Sequence, residues 1–484
     1  MENTFKLPSK GAPAEQILQT MRQLGESDVR WREGKTWSLV YHLGDEITNF
    51  LKRAYTTFFS ENGLNPTAFP SLRKFETEVI AMTANLLGGD GRVVGNMTSG
   101  GTESILMAVK TARDWARAAR PEITTPDMVL PLTAHPAFDK AGHYFSVRVV
   151  RTPIKADFRA DVEAARAAVT ENTILIAGSA PAYPHGVVDP IAELAQVAQE
   201  NGILFHTDAC VGGFMLPFVQ KLGYPVPPFD FSVPGVTSLS VDLHKYAYAA
   251  KGASVILYRD PELRRYQFSV YTDWPGGIYI SPTMTGTRPG GPIAAAWAML
   301  HYLGQEGYLD IVGTVMDTVT KLKDGIERVE GVKVLGDPTM SILAIGSDEL
   351  DVYQVADELT LRGWHLDRQH FPPCLHLTVT HAHAQVADTF LQDLRESVAA
   401  VKKFSWSKFS TALQLGLVRS AIKILPPGLL SKLTSSASAM TGVKGSELPK
   451  RSAAMYGMMA ELPNRGDLDD MVLDILDQWT RPEE

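Results

Sequence analysis

Short apolar runs recur through the middle of the chain, each separated from the next by a stretch of helical periodicity, and this alternation leaves few folds open. MVLPL at 128–132, TILIAGS at 173–179, GILFHTD at 202–208, SLSVD at 238–242 and ASVILY at 253–258 read as strands. Between them, DVEAARAAV and PIAELAQVAQENG have helical spacing. The second opens with Asp189 before Pro190 and closes at Gly202, as cap chemistry predicts. The middle of the chain is therefore α/β, with crossover helices. Beyond about residue 312 the pattern restarts with a long amphipathic stretch, then KVLG, SILAIGS, a helix from Val352 and a strand CLHLTVT at 374–380. The expected division is an N-terminal arm at 1–70, a large domain at 71–312 and a smaller α+β C-terminal domain at 313–484.

Charge narrows the function. A formal net charge of -8 disfavours a general nucleic-acid role, which needs a clustered excess of Lys and Arg. Residues 402–451 are the exception, with nine Lys or Arg against one acid, Glu447. There Trp406, Phe409, Leu413, Leu417 and Ile424 share one helical stripe, with Lys408, Arg419 and Lys423 on another, before Pro426, Pro427 and Gly428 stop the helix. Such a stretch suits peripheral contact with an anionic membrane, and equally an inserted hairpin packed on the protein. Cys210 and Cys374, the two cysteines, lie far apart and give neither a disulfide framework nor a Cys-based metal site. The expectation is a cytoplasmic protein with no metal, no signal peptide and no spanning helix.

Four places along the chain carry chemistry. In GNMTSGGTESILMAVK, Thr98 to Thr102 form a small-residue turn ahead of a helix, so free backbone N–H groups there suit an anion. The strand GILFHTD leaves Asp208 at a carboxyl end, followed by the small residues Ala209, Gly212 and Gly213. A carboxylate there suits a pyridinium nitrogen, which it keeps protonated. The next strand ends in Leu243, His244 and Lys245. Burial at that edge is expected to lower the Lys245 pKa and favour the neutral amine, the form that bonds a carbonyl cofactor. His135, after MVLPLTA, can lie flat on a cofactor ring. Singly, each has an ordinary reading: a tight turn, a helix cap, a loop histidine, an exposed lysine. The set, in this order, is specific.

With those residues in place the chain resembles a fold-type I pyridoxal-phosphate enzyme of the group II decarboxylase branch, and within it the sphingosine-1-phosphate lyases. LRKFETEVI, TSGGTESILMAVK, HPAFDKA, PHGVVDP, HTDACVGGF, DFSVPGVTSLSVDLHKYAYAAKG, TDWPGGIYISPTMTGTRPGG and FPPCLHLTVT carry the resemblance in order, and it resumes at AAMYGM. It implies a large domain with a mostly parallel seven-stranded sheet and pyridoxal 5'-phosphate as cofactor. Lys245 would bear it, Asp208 would pair its ring nitrogen, His135 would stack on the ring, and Gly101, Thr102 and His244 would hold its phosphate. Thr287, in TGTRPGG, would reach the phosphate of a neighbouring subunit's cofactor, making a homodimer part of the site. Lys251, Tyr41 and Asn65 would serve the substrate phosphate, and Lys251 and Tyr41 also proton transfer.

The chain departs from the family's pattern at four positions: Asn65 stands where the lyases usually have a His, and Leu243, Ala247 and Ala250 replace a Thr, a Gly and a Pro around the lysine. The reaction implied is cleavage of the C2–C3 bond of a phosphorylated long-chain base, giving a long-chain aldehyde and phosphoethanolamine. The alternative is decarboxylation of an aromatic or acidic amino acid, which needs the same Lys245, Asp208 and His135.

Overall fold

The computed structural model describes residues 7–407 and isolated positions between 452 and 481. Segment 408–451, which holds most of the basic apolar stretch, lies outside the described residues. A seven-stranded sheet is built from β1 (Val94–Thr98), β2 (Asp127–Pro131), β3 (Arg148–Thr152), β4 (Thr173–Ser179), β5 (Leu204–Asp208), β6 (Ser238–Val241) and β7 (Ser254–Tyr258). Their order is β1-β7-β6-β5-β4-β2-β3, with the β7 pairings antiparallel and all others parallel. Parallel pairing requires crossovers, and helices Val162–Ala168 and Ile191–Glu200 supply two of them. Every residue of β2, β4, β6 and β7 is buried, which explains why these strands read as continuous apolar runs. By contrast β1 (VGNMT) and β3 (RVVRT) are edge strands of mixed polarity, and no apolar run announced them.

One expectation of cap chemistry fails. Asp189 does not cap the helix that follows it. Its carboxylate accepts the Ser179 and Ala160 N–H groups, both at 2.8 Å, and so fastens the end of β4 to the loop before Val162. Desolvation raises its pKa to about 6, opposed by these two N–H groups. A tertiary demand for an acceptor outcompeted the local one.

After the sheet, β8 (Ser269–Trp274) and β9 (Gly277–Ser281) form an isolated hairpin. A helix, Gly290–Glu327, then runs past residue 312, broken at Gly304, where φ is 57°. The remaining chain builds an antiparallel sheet of β10 (Lys333–Val334), β11 (Ile342–Gly346), β12 (Asp367–Gln369) and β13 (Cys374–Thr378) in the order β10-β11-β13-β12. Helix Val352–Leu361 packs on it, capped by the Asp351 carboxylate through the Tyr353 N–H.

The N-terminal arm is stitched to this small sheet. Trp37 donates its N–H to His365 O and accepts the Thr378 N–H at 2.7 Å. Its indole, fully buried, stacks on His383 with ring centroids 4.1 Å apart. That anchor fixes the chain four residues short of Tyr41 and so delivers Tyr41 to the carboxyl ends of β5 and β6.

Candidate functional site

Helix Gly101–Ala119 turns Ile105, Met107, Ala108, Val109, Ala112 and Ala116 into the core, which aims its N-terminus at the carboxyl ends of the parallel strands. Glu103 secures that start. Its carboxylate accepts the Ser99 N–H at 2.6 Å and the Met284 N–H at 2.8 Å, tying the turn to the loop beyond the hairpin. Gly101 is required by close approach: a Cβ there would lie 2.7 Å from Cys210 Sγ and 2.9 Å from both Asp242 carboxylate oxygens.

Asp208 ends β5 and is 8% exposed. Its Oδ1 accepts the Cys210 N–H at 3.1 Å and the Ser240 hydroxyl at 3.4 Å. Ser240 in turn meets His206 Nε2 at 3.1 Å, and Ser238 meets His206 Nδ1 at 2.8 Å. Burial pulls the His206 pKa down to about 4, so this imidazole is neutral and orients the serines without adding charge. The Asp208 Oδ1 is thus held from below, and its Oδ2 makes no hydrogen bond within the described chain.

Lys245 follows β6 with its side chain 25% exposed. The expected lowering of its pKa does not occur. Burial does pull it down, but Asp242 Oδ2, 2.8 Å from Nζ, outweighs burial, with Cys210 and Asp208 adding to it, and the ammonium is held above its ordinary range. Asp242 itself was invisible as a site residue in the sequence, since the carboxylate looked for was the partner of a ring nitrogen. The signal available was its place at the carboxyl end of β6, three residues before Lys245. Its pKa is lowered: desolvation opposes this, but Lys245 and His244 prevail.

His244 accepts the Ala253 N–H at Nδ1, and its Cε1 lies against Gly100. Desolvation first, then Lys251 and Lys245, lower its pKa against the pull of Asp242, so the ring is neutral beside the helix start. The Lys251 Nζ sits 5.3 Å from the centroid of the Tyr41 ring. Partial desolvation and the nearby Lys245 bring its pKa to about 8, although the side chain as a whole stays open to water. The Tyr41 ring meets Tyr246 edge-on at 5.0 Å. Burial, then Tyr183 and Asp242, push its phenol well above the usual range, so it holds its proton.

Gly101, Asp208, His244, Lys245, Lys251 and Tyr41 therefore converge. His135 is exposed in the loop after β2, where its Nδ1 accepts the Ala137 N–H at 3.1 Å, and Thr102 is exposed at the helix start. Asn65 and Thr287 stand elsewhere. The Asn65 side-chain carbonyl is committed to the Thr67 and Ala68 N–H groups and the Thr67 hydroxyl. It lines a cavity of about 910 Å³ walled by Arg73, Glu76, Ile278, Tyr279 and Arg288. Thr287 is exposed and accepts from Asn62 at 3.4 Å.

The converging residues fit pyridoxal phosphate. Asp208 has a carboxylate oxygen to spare, Gly101 leaves a cradle that any Cβ would fill, and Lys245 is a sheltered amine beside both. Comparison with known proteins agrees. Residues 2–345 match the family described as the pyridoxal-dependent decarboxylase conserved domain. The chain is 47% identical over 407 residues to the sphingosine-1-phosphate lyase of Arabidopsis thaliana, covering 82% of this chain and 74% of that protein. Sphingosine-1-phosphate lyase 1 of Rattus norvegicus is 44% identical over 400 residues, covering 82% and 70%. Among solved structures, the sphingosine-1-phosphate lyase of Burkholderia pseudomallei superposes with a TM-score of 0.80 at 40% identity, over 85% of this chain and 97% of that one. The glutamate decarboxylase of Lactobacillus brevis, at 17% identity and a TM-score of 0.72, shares the fold.

Proposed function

The chain belongs to the pyridoxal-dependent decarboxylase family, and from that premise we propose that it is a pyridoxal-phosphate lyase cleaving the C2–C3 bond of a phosphorylated long-chain base to a long-chain aldehyde and phosphoethanolamine. One observation carries this reading: a sheltered lysine, a buried acid with an unused oxygen and a glycine cradle meet at the carboxyl ends of β5 and β6, in a chain this similar to lyases of that substrate.

When bound, pyridoxal phosphate supplies a carbonyl that bonds an amine and a ring that accepts the electron pair released beside it. Lys245 is the amine that would carry it. Asp208, whose carboxylate Ser240 and His206 fix, would keep the ring nitrogen protonated. Gly101, Thr102 and His244 would bind its phosphate at the helix start, and His135 would cover the ring and exclude water. Lys251, whose amine is neutral in a large fraction of molecules near pH 8, is suited to take the proton from the substrate's C3 hydroxyl. Tyr41, which keeps its proton, is suited to donate a hydrogen bond to the substrate phosphate.

A second copy of the chain completes this reading. The hairpin exposes Val270, Tyr271, Trp274, Ile278 and Ile280, each more than half accessible. A lone two-stranded hairpin is marginal in water, and exposed apolar side chains on both of its faces, Val270 and Ile280 on one and Tyr271 on the other, call for cover. Thr287 lies six residues beyond it, exposed and bonded to Asn62 rather than to any residue gathered around its own Lys245, which suits a role in the neighbour's. The basic stretch 402–451 is read from its composition alone, as a membrane-facing element or equally as an inserted hairpin packed on the protein. Among the described residues no helix is long and apolar enough to cross a membrane.

Purified protein incubated with sphingosine-1-phosphate should release long-chain aldehyde, and no carbon dioxide from glutamate, aspartate or aromatic amino acids. Carbon dioxide without aldehyde would replace the lyase with a decarboxylase.

A further inference from the structure

The carboxylate in contact with Lys245 has no obvious use in a pocket whose ring-nitrogen partner is Asp208. Asp242 has a side chain only 3% exposed. Its Oδ2 meets Lys245 Nζ at 2.8 Å and faces His244 Nε2 at 3.8 Å, whereas its Oδ1 is buried with no hydrogen bond of good geometry: the nearby Ser254 hydroxyl helps lower the carboxyl pKa but donates to Val241 O at 2.9 Å. Both oxygens lie against the Gly101 cradle. An ion pair that served only the fold would have both oxygens satisfied, because an unserved carboxylate oxygen in a dry site is costly. A lysine that must bond a carbonyl is also ill served by a permanent counter-ion, since the ammonium has no lone pair.

Resting on the function proposed above, we propose that Asp242 is a positioning residue that parks Lys245 as an ammonium in the free protein and takes up its proton when Nζ bonds the cofactor's carbonyl carbon. The balance closes within the pair. Nζ carries three protons in the ion pair. Asp242 Oδ2 takes one as Nζ attacks, forming the carbon–nitrogen double bond expels the carbonyl oxygen as water with the other two, and the first then returns to the nitrogen, beside which the carboxylate stays as counter-charge. The other titratable groups facing Nζ are Asp208 and Cys210 at the end of β5, His244 and Lys251 in its own loop, and Tyr183 after β4. Among the described residues Asp242 alone forms an ion pair with it.

The test is reductive methylation with formaldehyde of the whole chain freed of cofactor, over a series of pH values, with Lys245 labelling read by peptide mass spectrometry. It needs neither cofactor nor substrate. In the wild-type chain the Lys245 midpoint should lie above the ordinary lysine value of about 10.4. In Asp242→Asn it should fall by roughly one to three pH units, with labelling at a fixed lower pH faster by about tenfold or more. Lys110, which donates to the carbonyls of Tyr266, Gln267 and Phe268, serves as the internal control for folding, and its labelling should be unchanged. A wild-type midpoint at or below the ordinary value overturns the proposal even if the variant fails to fold, as does an unshifted midpoint in a folded variant. Borohydride trapping of pyridoxal phosphate on wild-type Lys245 tests the functional reading separately: no trapped adduct sinks that reading whatever the methylation result.

Discussion

The pocket around Lys245 and the surface around Thr287 differ in nearly every physical respect. The first lies at the carboxyl ends of buried strands, its acids 3–8% exposed and its charges paired inside one chain. The second is a hairpin with accessible apolar side chains, followed by a loop whose exposed Thr287 accepts a hydrogen bond from Asn62, near a wide cavity lined by Asn65 and Arg288. One region is closed by its own fold; the other is open to solvent, and the function proposed above covers it with a second copy of the chain. On that proposal cofactor chemistry is built locally and completed by assembly.

The comparison breaks most directly at its closed end. Lys245→Ala should abolish both the visible absorbance of bound cofactor and turnover; retained absorbance would mean that the amine lies elsewhere. At the open end, the unaltered chain should sediment as a dimer on the proposed reading, and Trp274→Asp together with Ile278→Asp should leave it folded but monomeric by sedimentation velocity and lower activity by about a hundredfold or more. A fully active monomer would show that Thr287 serves no neighbour. Next to Thr287, Arg288 is 7% exposed and bonds Glu76 at 2.9 and 2.5 Å and Met97 O at 3.1 Å. Removing one member of such a buried pair strands the other, so Arg288→Ala should cost roughly 3–5 kcal/mol in denaturant unfolding. An effect below about 1 kcal/mol would show the pair to be solvated.

The smallest effect sharpens the division of labour inside the pocket. Lys251 binds a proton below about pH 8 and releases it above, so if it accepts the substrate's hydroxyl proton, kcat/KM must rise with pH through that region. Lys251→Met should remove that rising limb and lower the rate above pH 8 by more than it does at pH 7. A limb that survives the substitution assigns it to another group.

Strand runs β2, β4, β5, β6 and β7 were legible because each is buried and apolar, and Asp208 and Lys245 were legible because they end two of them. Edge strands β1 and β3, and the hairpin, were not, because their polarity answers to neighbours distant in sequence. Asp189 was misassigned for the same reason: a residue that can cap a helix can equally accept two N–H groups from other elements, and local spacing does not choose between them.

What the order of residues alone determined is the chemistry on offer: an amine and a carboxylate at successive strand ends, a small-residue turn and a helix start. What only the folded arrangement decided is the charge that amine carries, since this depends on which acid lies 2.8 Å away and how much water reaches it. Coulomb interaction and desolvation act through distances in space, and those are fixed only when the strand ends, the first helix and the N-terminal arm have closed around Lys245.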